Sequence, residues 1–179
     1  MRSSVRGFTL LELIVVIAII GVLSVIVIPS FATALARSRD AQRIVDMKNI
    51  SGALDRYIKS TGKIPAVNDT YVHCGWEIPG GGSFIKNFVS TGELKSGYKD
   101  PKQNPDLSNC TIKSNYSYYY YVFSAGSFGC PIERGDFYAL GFSMSEVSGR
   151  TNMAESPRFS CPGRDYSGEF VWVTGGFSN

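Results

Sequence analysis

The chain has 179 residues, 44% of them hydrophobic, with 18 basic and 15 acidic side chains and a formal net charge of +3. Two of the cations, Arg2 and Arg6, precede the first apolar run; without them 16 basic side chains face 15 acidic ones, which excludes a uniformly basic surface and gives no sign of nucleic-acid affinity from net charge. Beyond the apolar run the remaining length suffices for one modest domain and not for two.

Arg6-Gly7-Phe8-Thr9-Leu10-Leu11-Glu12-Leu13 opens an apolar run that continues to Pro29 and Phe31, and from Phe8 to Ala36 the only ionisable side chain is Glu12. That length predicts a bilayer-spanning helix, which needs roughly 20 apolar residues. Met1 to Gly7 has no apolar core of its own, so it is not an ordinary secretory signal. Arg2 and Arg6 favour a cytoplasmic start, while Arg37, Arg39 and Arg43 beyond the run argue the other way. A carboxylate inside a membrane helix is costly. Either Glu12 lies near the headgroups and stays wet, or it has a partner. A cut between Gly7 and Phe8 would create an α-amine, and that amine on a neighbouring copy would pair with Glu12 and set the register between subunits.

The hexapeptide Gly7-Phe8-Thr9-Leu10-Leu11-Glu12, with its basic leader and long apolar helix, resembles the prepilin cleavage motif of type IV pilins and type II secretion pseudopilins. The likeness covers residues 2–60; beyond them it is one of layout only. It implies that a membrane aspartic peptidase cuts after Gly7 and methylates the amine of Phe8, and that the C-terminal part lies outside the cytoplasm. It implies as partners copies of the same chain, minor pilins, the prepilin peptidase and an inner-membrane assembly machinery. It also matches Gly21 and Pro29 to the ends of a segment whose helix loosens in assembled filaments. The residues agree: Pro29 lacks an N–H and crowds the carbonyl of Val25, and Gly21 adds backbone freedom. A static kink and local melting both fit that chemistry.

From Arg37 to Ser60, Ala41, Ile44, Val45, Met47, Ile50, Leu54, Tyr57 and Ile58 recur at helical spacing between charged residues. The pattern predicts one helix from Phe8 to about Ser60, bent at Pro29 and ended by Gly62 and Pro65. Gly62 to Lys113 is marked by glycine and proline and reads as loop, with a short helix around residues 84–89. Residues 115–124, 136–144 and 168–174 are the strand candidates, the first dense in tyrosine. At strand spacing those tyrosines divide between core and interface. The expected fold is α+β, a long N-terminal helix on a C-terminal antiparallel sheet. Its segments are a leader over 1–7, a membrane and assembly helix over 8–36, an amphipathic half over 37–60 and a globular head over 61–179.

Cys74, Cys110, Cys130 and Cys161 all fall in the head, none in C-x-x-C spacing, and His73 is the only histidine, so a zinc site is poorly supported. An even count in an exported domain reads as two disulfides, each worth roughly 3–4 kcal/mol. Three pairings exist. Cys74–Cys110 with Cys130–Cys161 is preferred because each would close a loop outside the strand core; the resemblance is compatible with the second pair, and four free thiols are the alternative. No catalytic constellation, cofactor motif or metal signature emerges: Gly80-Gly81-Gly82 lacks the Lys-Ser/Thr of a phosphate loop, and a His73–Cys74 dyad would need adjacent side chains to face each other. Asp100, Asp106, Glu133 and Asp136 supply oxygens for calcium without matching a calcium motif. Asn68, Asn109 and Asn115 head N-x-Ser/Thr triplets. The expected function is that of a filament subunit. A surface pilin serving adhesion, motility or DNA uptake is preferred to a secretion pseudopilin, and a permanently anchored binding module or enzyme is the alternative from another class.

Overall fold

The structure, a computed structural model, describes residues 7–80, 84–103, 108, 115–149 and 151–179, without the side chains of residues 25–29. It has the expected α+β order: a long N-terminal helix followed by an antiparallel sheet. Helix α1 runs Leu10–Thr61, about 78 Å at 1.5 Å per residue. It ends as its sequence demands. Gly62 adopts φ +66° and donates its N–H to the carbonyl of Ile58 at 2.7 Å, closing the last turn in a left-handed cap. Position 29 lies within α1, but the side chain of Pro29 is outside the described ones, and with it the expected bend. The chain divides into two compact units, Met1–Ser38 and Arg39–Asn179.

In the C-terminal unit a hairpin comes first, β1 (Val72–His73) and β2 (Trp76–Glu77), where the sequence predicts loop. Its two-residue turn is Cys74-Gly75 with φ of +54° and +87°, the doubly positive geometry of tight hairpins. Asparagine or aspartate before glycine usually signals that turn; cysteine does not. Helix α2 (Lys86–Val89) falls where a short helix is expected. Then come β3 (Tyr118–Phe123), β4 (Phe137–Phe142), the small hairpin β5 (Ser160–Cys161) and β6 (Arg164–Asp165), and β7 (Trp172–Phe177). The five-stranded sheet is a meander ordered β1-β2-β3-β4-β7, with Tyr118 opposite Phe142 and Phe142 opposite Trp172.

The last strand lies later than residues 168–174. Tyr166–Gly168 forms a 3-10 turn capped by Asp165, whose carboxylate accepts the N–H of Ser167 at 2.9 Å. The strand instead takes in Gly175 and Gly176, which read as a strand end. A Cβ at Gly175 would sit 2.5 Å from the Phe159 ring, and one at Gly176 would sit 2.8 Å from the ring of Tyr138. Glycine is there to seat aromatics.

Both faces of the sheet are buried. Tyr118, Tyr120, Tyr138, Leu140, Phe142 and Trp172 pack against Met47, Ile50, Ala53, Leu54 and Ile58 of α1 with Phe84 and Phe88. Tyr119, Phe123, Phe137, Ala139 and Val173 face a second core with Trp76, Ile78, Tyr166, Phe170 and the Cys130–Cys161 bridge. The tyrosine run therefore serves two cores rather than one core and an interface. Strand alternation supplies the two faces; what covers the second comes from segments far apart in the chain.

Candidate functional site

The N-terminal motif is built from its own backbone. Thr9 stands just before the first turn of α1 and Glu12 within it. The Thr9 hydroxyl oxygen accepts the N–H of Glu12 at 3.2 Å, while a Glu12 carboxylate oxygen accepts the Thr9 N–H at 2.9 Å and the Thr9 hydroxyl at 2.8 Å. This reciprocal capping box satisfies two of the amides that a helix start leaves unpaired. It also holds the carboxylate over the positive end of the helix. Thr-x-x-Glu is readable in the sequence as a helix-start signature.

Apolar side chains surround this helix on every side from Leu13 to Leu23, and Phe8 is 82% exposed. Helices apolar all round are covered by lipid or by other helices. Among the described residues no helix is long and apolar enough to cross a membrane. The described side chains of the run reach Ser24 before residues 25–29 intervene, short of the roughly 20 needed. Ser24 returns its hydroxyl hydrogen to the carbonyl of Ile20 at 2.7 Å, leaving its polar group satisfied in an apolar setting. A Cβ at Gly7 or at Gly21 would meet nothing within 4 Å among the described residues.

A second polar constellation joins segments far apart in the sequence. Arg43 on α1 is fully buried, and its guanidinium donates to both carboxylate oxygens of Asp100 at 2.7 and 2.8 Å, to Asp40 at 2.6 Å and to Glu146 at 3.2 Å. Arg39 adds a two-pronged pair to Glu146 at 2.7 and 2.6 Å. Asp40 in turn accepts the N–H groups of Glu146 and Val147, both at 2.9 Å. Hydrogen bonds from Arg39, with the charge of Arg43 behind them, hold the Glu146 carboxyl down to about 2. Burial opposes the charge on Arg43, but Asp100 and Asp40 outweigh it and the guanidinium is held firmly protonated. One residue of α1 thus ties down two loops. Alternating charges on a helix gave no hint of it, because Asp100 and Glu146 are distant in sequence.

The other candidates disperse. Asp100, weighed for calcium, is committed to Arg43; Asp136 accepts the N–H of Ala125 at 2.9 Å; Glu133 is exposed; Asp106 lies outside the described residues. Among the described residues no group of three or more His, Cys, Asp or Glu could hold a metal ion. His73 is buried with its Nε2 3.5 Å from the Asn115 amide nitrogen, and Cys74 sits on the hairpin turn. Asn115 is itself buried, which removes it as a glycan acceptor, and Asn109 is outside the described residues. Cys130 and Cys161 form a disulfide with Cα atoms 5.0 Å apart. Its loop contains β4 rather than lying outside the strand core. Cys110, and with it the Cys74–Cys110 pairing, lies outside the described residues.

In chain order, an apolar helix start capped by Thr9 and Glu12 precedes an α+β unit with its own cores. Residues 2–28 match the family described as the prokaryotic N-terminal methylation motif. The type II secretion system core protein G of Pseudomonas aeruginosa is 31% identical over 104 residues, 58% of this chain and 72% of that protein. A fimbrial protein of Neisseria meningitidis serogroup B is 31% identical over 114 residues, 63% of this chain and 64% of that protein. The type IV major pilin protein PilE1 of Neisseria gonorrhoeae is 34% identical over 68 residues, 38% of this chain and 41% of that protein. The chain therefore spans less than two thirds of the two neisserial proteins. No solved structure matches it. The chain belongs to the type IV pilin and pseudopilin family.

Proposed function

We propose that the chain is a structural subunit of a type IV pilus-like filament and not an enzyme. The leader is cut between Gly7 and Phe8, the new amine of Phe8 is methylated, and the helix beyond it spans the cytoplasmic membrane once before it moves into the filament with its head outside the cell. Copies of the chain and minor pilins are its partners there, and the prepilin peptidase and assembly machinery act on it beforehand. The observation that supports this reading most is the exposed apolar surface from Leu13 to Leu23, which follows a single carboxylate at the helix start. In assembly the Phe8 amine of a neighbour would replace Thr9 as partner of Glu12, fixing axial register, because a charge buried alone is heavily penalised. Gly21, where a Cβ would meet nothing within 4 Å among the described residues, would allow close approach of a second helix or the loosening of α1 between Gly21 and Pro29.

A short secretion pseudopilus is the second reading, and the 72% coverage of the Pseudomonas core protein G favours it. Intact-mass and N-terminal peptide analysis of sheared extracellular material and of membranes separates the two. Filaments beginning at N-methylated Phe8 establish the pilin; that terminus found only in membranes favours the pseudopilin. A chain that begins at Met1 in both fractions sinks both. In the same assay Glu12→Gln is expected to be processed normally yet to yield little filament.

A further inference from the structure

The loop Ser145–Gly149 is held closed by the cluster around Arg43. Asp40 accepts the N–H groups of Glu146 and Val147, both at 2.9 Å, and the Ser145 hydroxyl accepts that of Ser148 at 3.1 Å. Ser145 donates its own N–H to the carbonyl of Gly149 at 2.9 Å. Every amide from Ser145 to Ser148 is thus satisfied inside the protein. At the tip the Val147 side chain stays 53% exposed, an apolar group fixed outward by a pinned backbone.

The charges around this tip are sorted by depth. The carboxylates of Asp40, Asp100 and Glu146 are 0–7% exposed, whereas Arg39 and Lys102, which both pair with Glu146, are 35% and 52% exposed. Water beside Val147 therefore meets cations and little of the anions. Asp40 stands four residues beyond Ala36, where the apolar run from Phe8 ends, so about 6 Å of helix separates them. Helical side chains lean toward the helix N-terminus, so Arg39 and Asp40 hold the loop at the edge of the C-terminal unit where the chain enters from that run.

We propose that this loop is the foot by which the C-terminal unit rests on an anionic phospholipid surface. The proposal rests on the reading that the run from Phe8 spans the membrane. Val147 enters the headgroup layer, where an apolar side chain gains from leaving water, and Arg39 and Lys102 meet the lipid phosphates. The internally bonded amides suit this contact, because an N–H that leaves water unpaired is heavily penalised. A single apolar residue flanked by cations fits a layer that is anionic at its surface and apolar beneath.

The test places the full chain carrying Val147→Trp in vesicles of phosphatidylethanolamine and phosphatidylglycerol and quenches its fluorescence with nitroxide-labelled lipids. The native Trp76 and Trp172 are buried, and their quenching in the unaltered chain is the baseline. Ile132→Trp, at an exposed apolar residue of another loop, is the control. Val147→Trp should be quenched at least about twofold more than Ile132→Trp, and more by a nitroxide near the headgroup than by one deep in the acyl region. Lys102→Ala in that background should lower the ratio of docked to undocked heads about fivefold, the share of one cation at an anionic surface. Replacing phosphatidylglycerol with phosphatidylcholine should lower it further. Quenching of Val147→Trp no greater than that of Ile132→Trp overturns the proposal, as does quenching indifferent to both Lys102 and phosphatidylglycerol. A blue-shift of the added tryptophan that grows with the protein-to-lipid ratio, without quenching, assigns the tip to a second copy and overturns it too. Release of the chain by alkaline carbonate removes the membrane span and the foot with it; a retained chain with an unquenched tip removes only the foot.

Discussion

Glu12 and Glu77 have no ion-pair partner among the described residues and meet opposite surroundings. Glu12 is exposed and held by Thr9 at a helix start. Glu77 ends β2 and is buried, and its carboxylate accepts the N–H groups of Asn68 at 2.8 Å, of Lys86 at 3.0 Å and of Ile85. Ile85 is wholly buried at φ +53°, a left-handed backbone that a β-branched residue adopts only under tertiary constraint. Burial raises the Glu77 carboxyl above the ordinary glutamate range, against the pull of the three amides, and the nearby charge of Asp69 adds to the rise. A raised folded-state pKa means that the folded chain binds the proton more tightly than the unfolded one. The stability that this group contributes is therefore full below about pH 4.3 and is lost as pH rises through the folded-state value. Glu77→Gln removes that dependence and turns an amide N–H toward a backbone donor, at a cost of about 1–3 kcal/mol. Urea unfolding at pH 4 and pH 7 should show a larger penalty for the variant at pH 4; an equal penalty at both would mean that Glu77 titrates normally. The sequence shows a glutamate after Trp76 and nothing of its burial.

Along α1 the apolar positions and both ends are readable, because helical periodicity and a terminal glycine are local signals. The role of Arg43 is not readable. Its face of the helix carries Asp40 and Met47 as well, and only the return of Asp100 and Glu146 converts a solvated charge into a buried one. Breaking one partner of such a cluster strands the others: Arg43→Ala should destabilise the full chain by about 3–5 kcal/mol, since buried Asp40 and Asp100 lose their cation while Glu146 keeps Arg39. Arg39→Ala should cost about 1 kcal/mol or less, because that side chain is 35% exposed. Denaturant unfolding monitored by tryptophan fluorescence compares them, and similar losses for both would deny Arg43 its central place.

For the molecule as a whole, a sheet covered on both faces needs two covering layers. The first is α1 with residues 84–94. The second is assembled from the Trp76 hairpin and the segments joined by Cys130–Cys161, where the Arg164 guanidinium lies 5.6 Å from the Trp76 ring centroid, 4.9 Å from that of Phe128 and 4.7 Å from that of Tyr166 while paired with Glu169. The bridge spans a sequence separation of 31, so its removal should cost roughly 3–4 kcal/mol through the entropy of the unfolded chain. In Cys130→Ala/Cys161→Ala, hydrogen exchange should speed most at β5, β6 and the 166–168 turn, and least at β3 and β4 beneath α1. Uniform acceleration would show that the two layers do not open separately.

The sequence by itself determined the motif at Gly7–Glu12, the apolar helix and its end at Gly62, the α+β order and the family likeness. All of these are set by neighbours within a few residues, or by runs whose composition alone decides their solvent. Tertiary structure alone decided that the tyrosine strand serves two cores, that Arg43 is buried among Asp40, Asp100 and Glu146, and that the bridge encloses β4. Those depend on which distant segments come together, and for a charged side chain that meeting decides whether water or a counter-charge surrounds it.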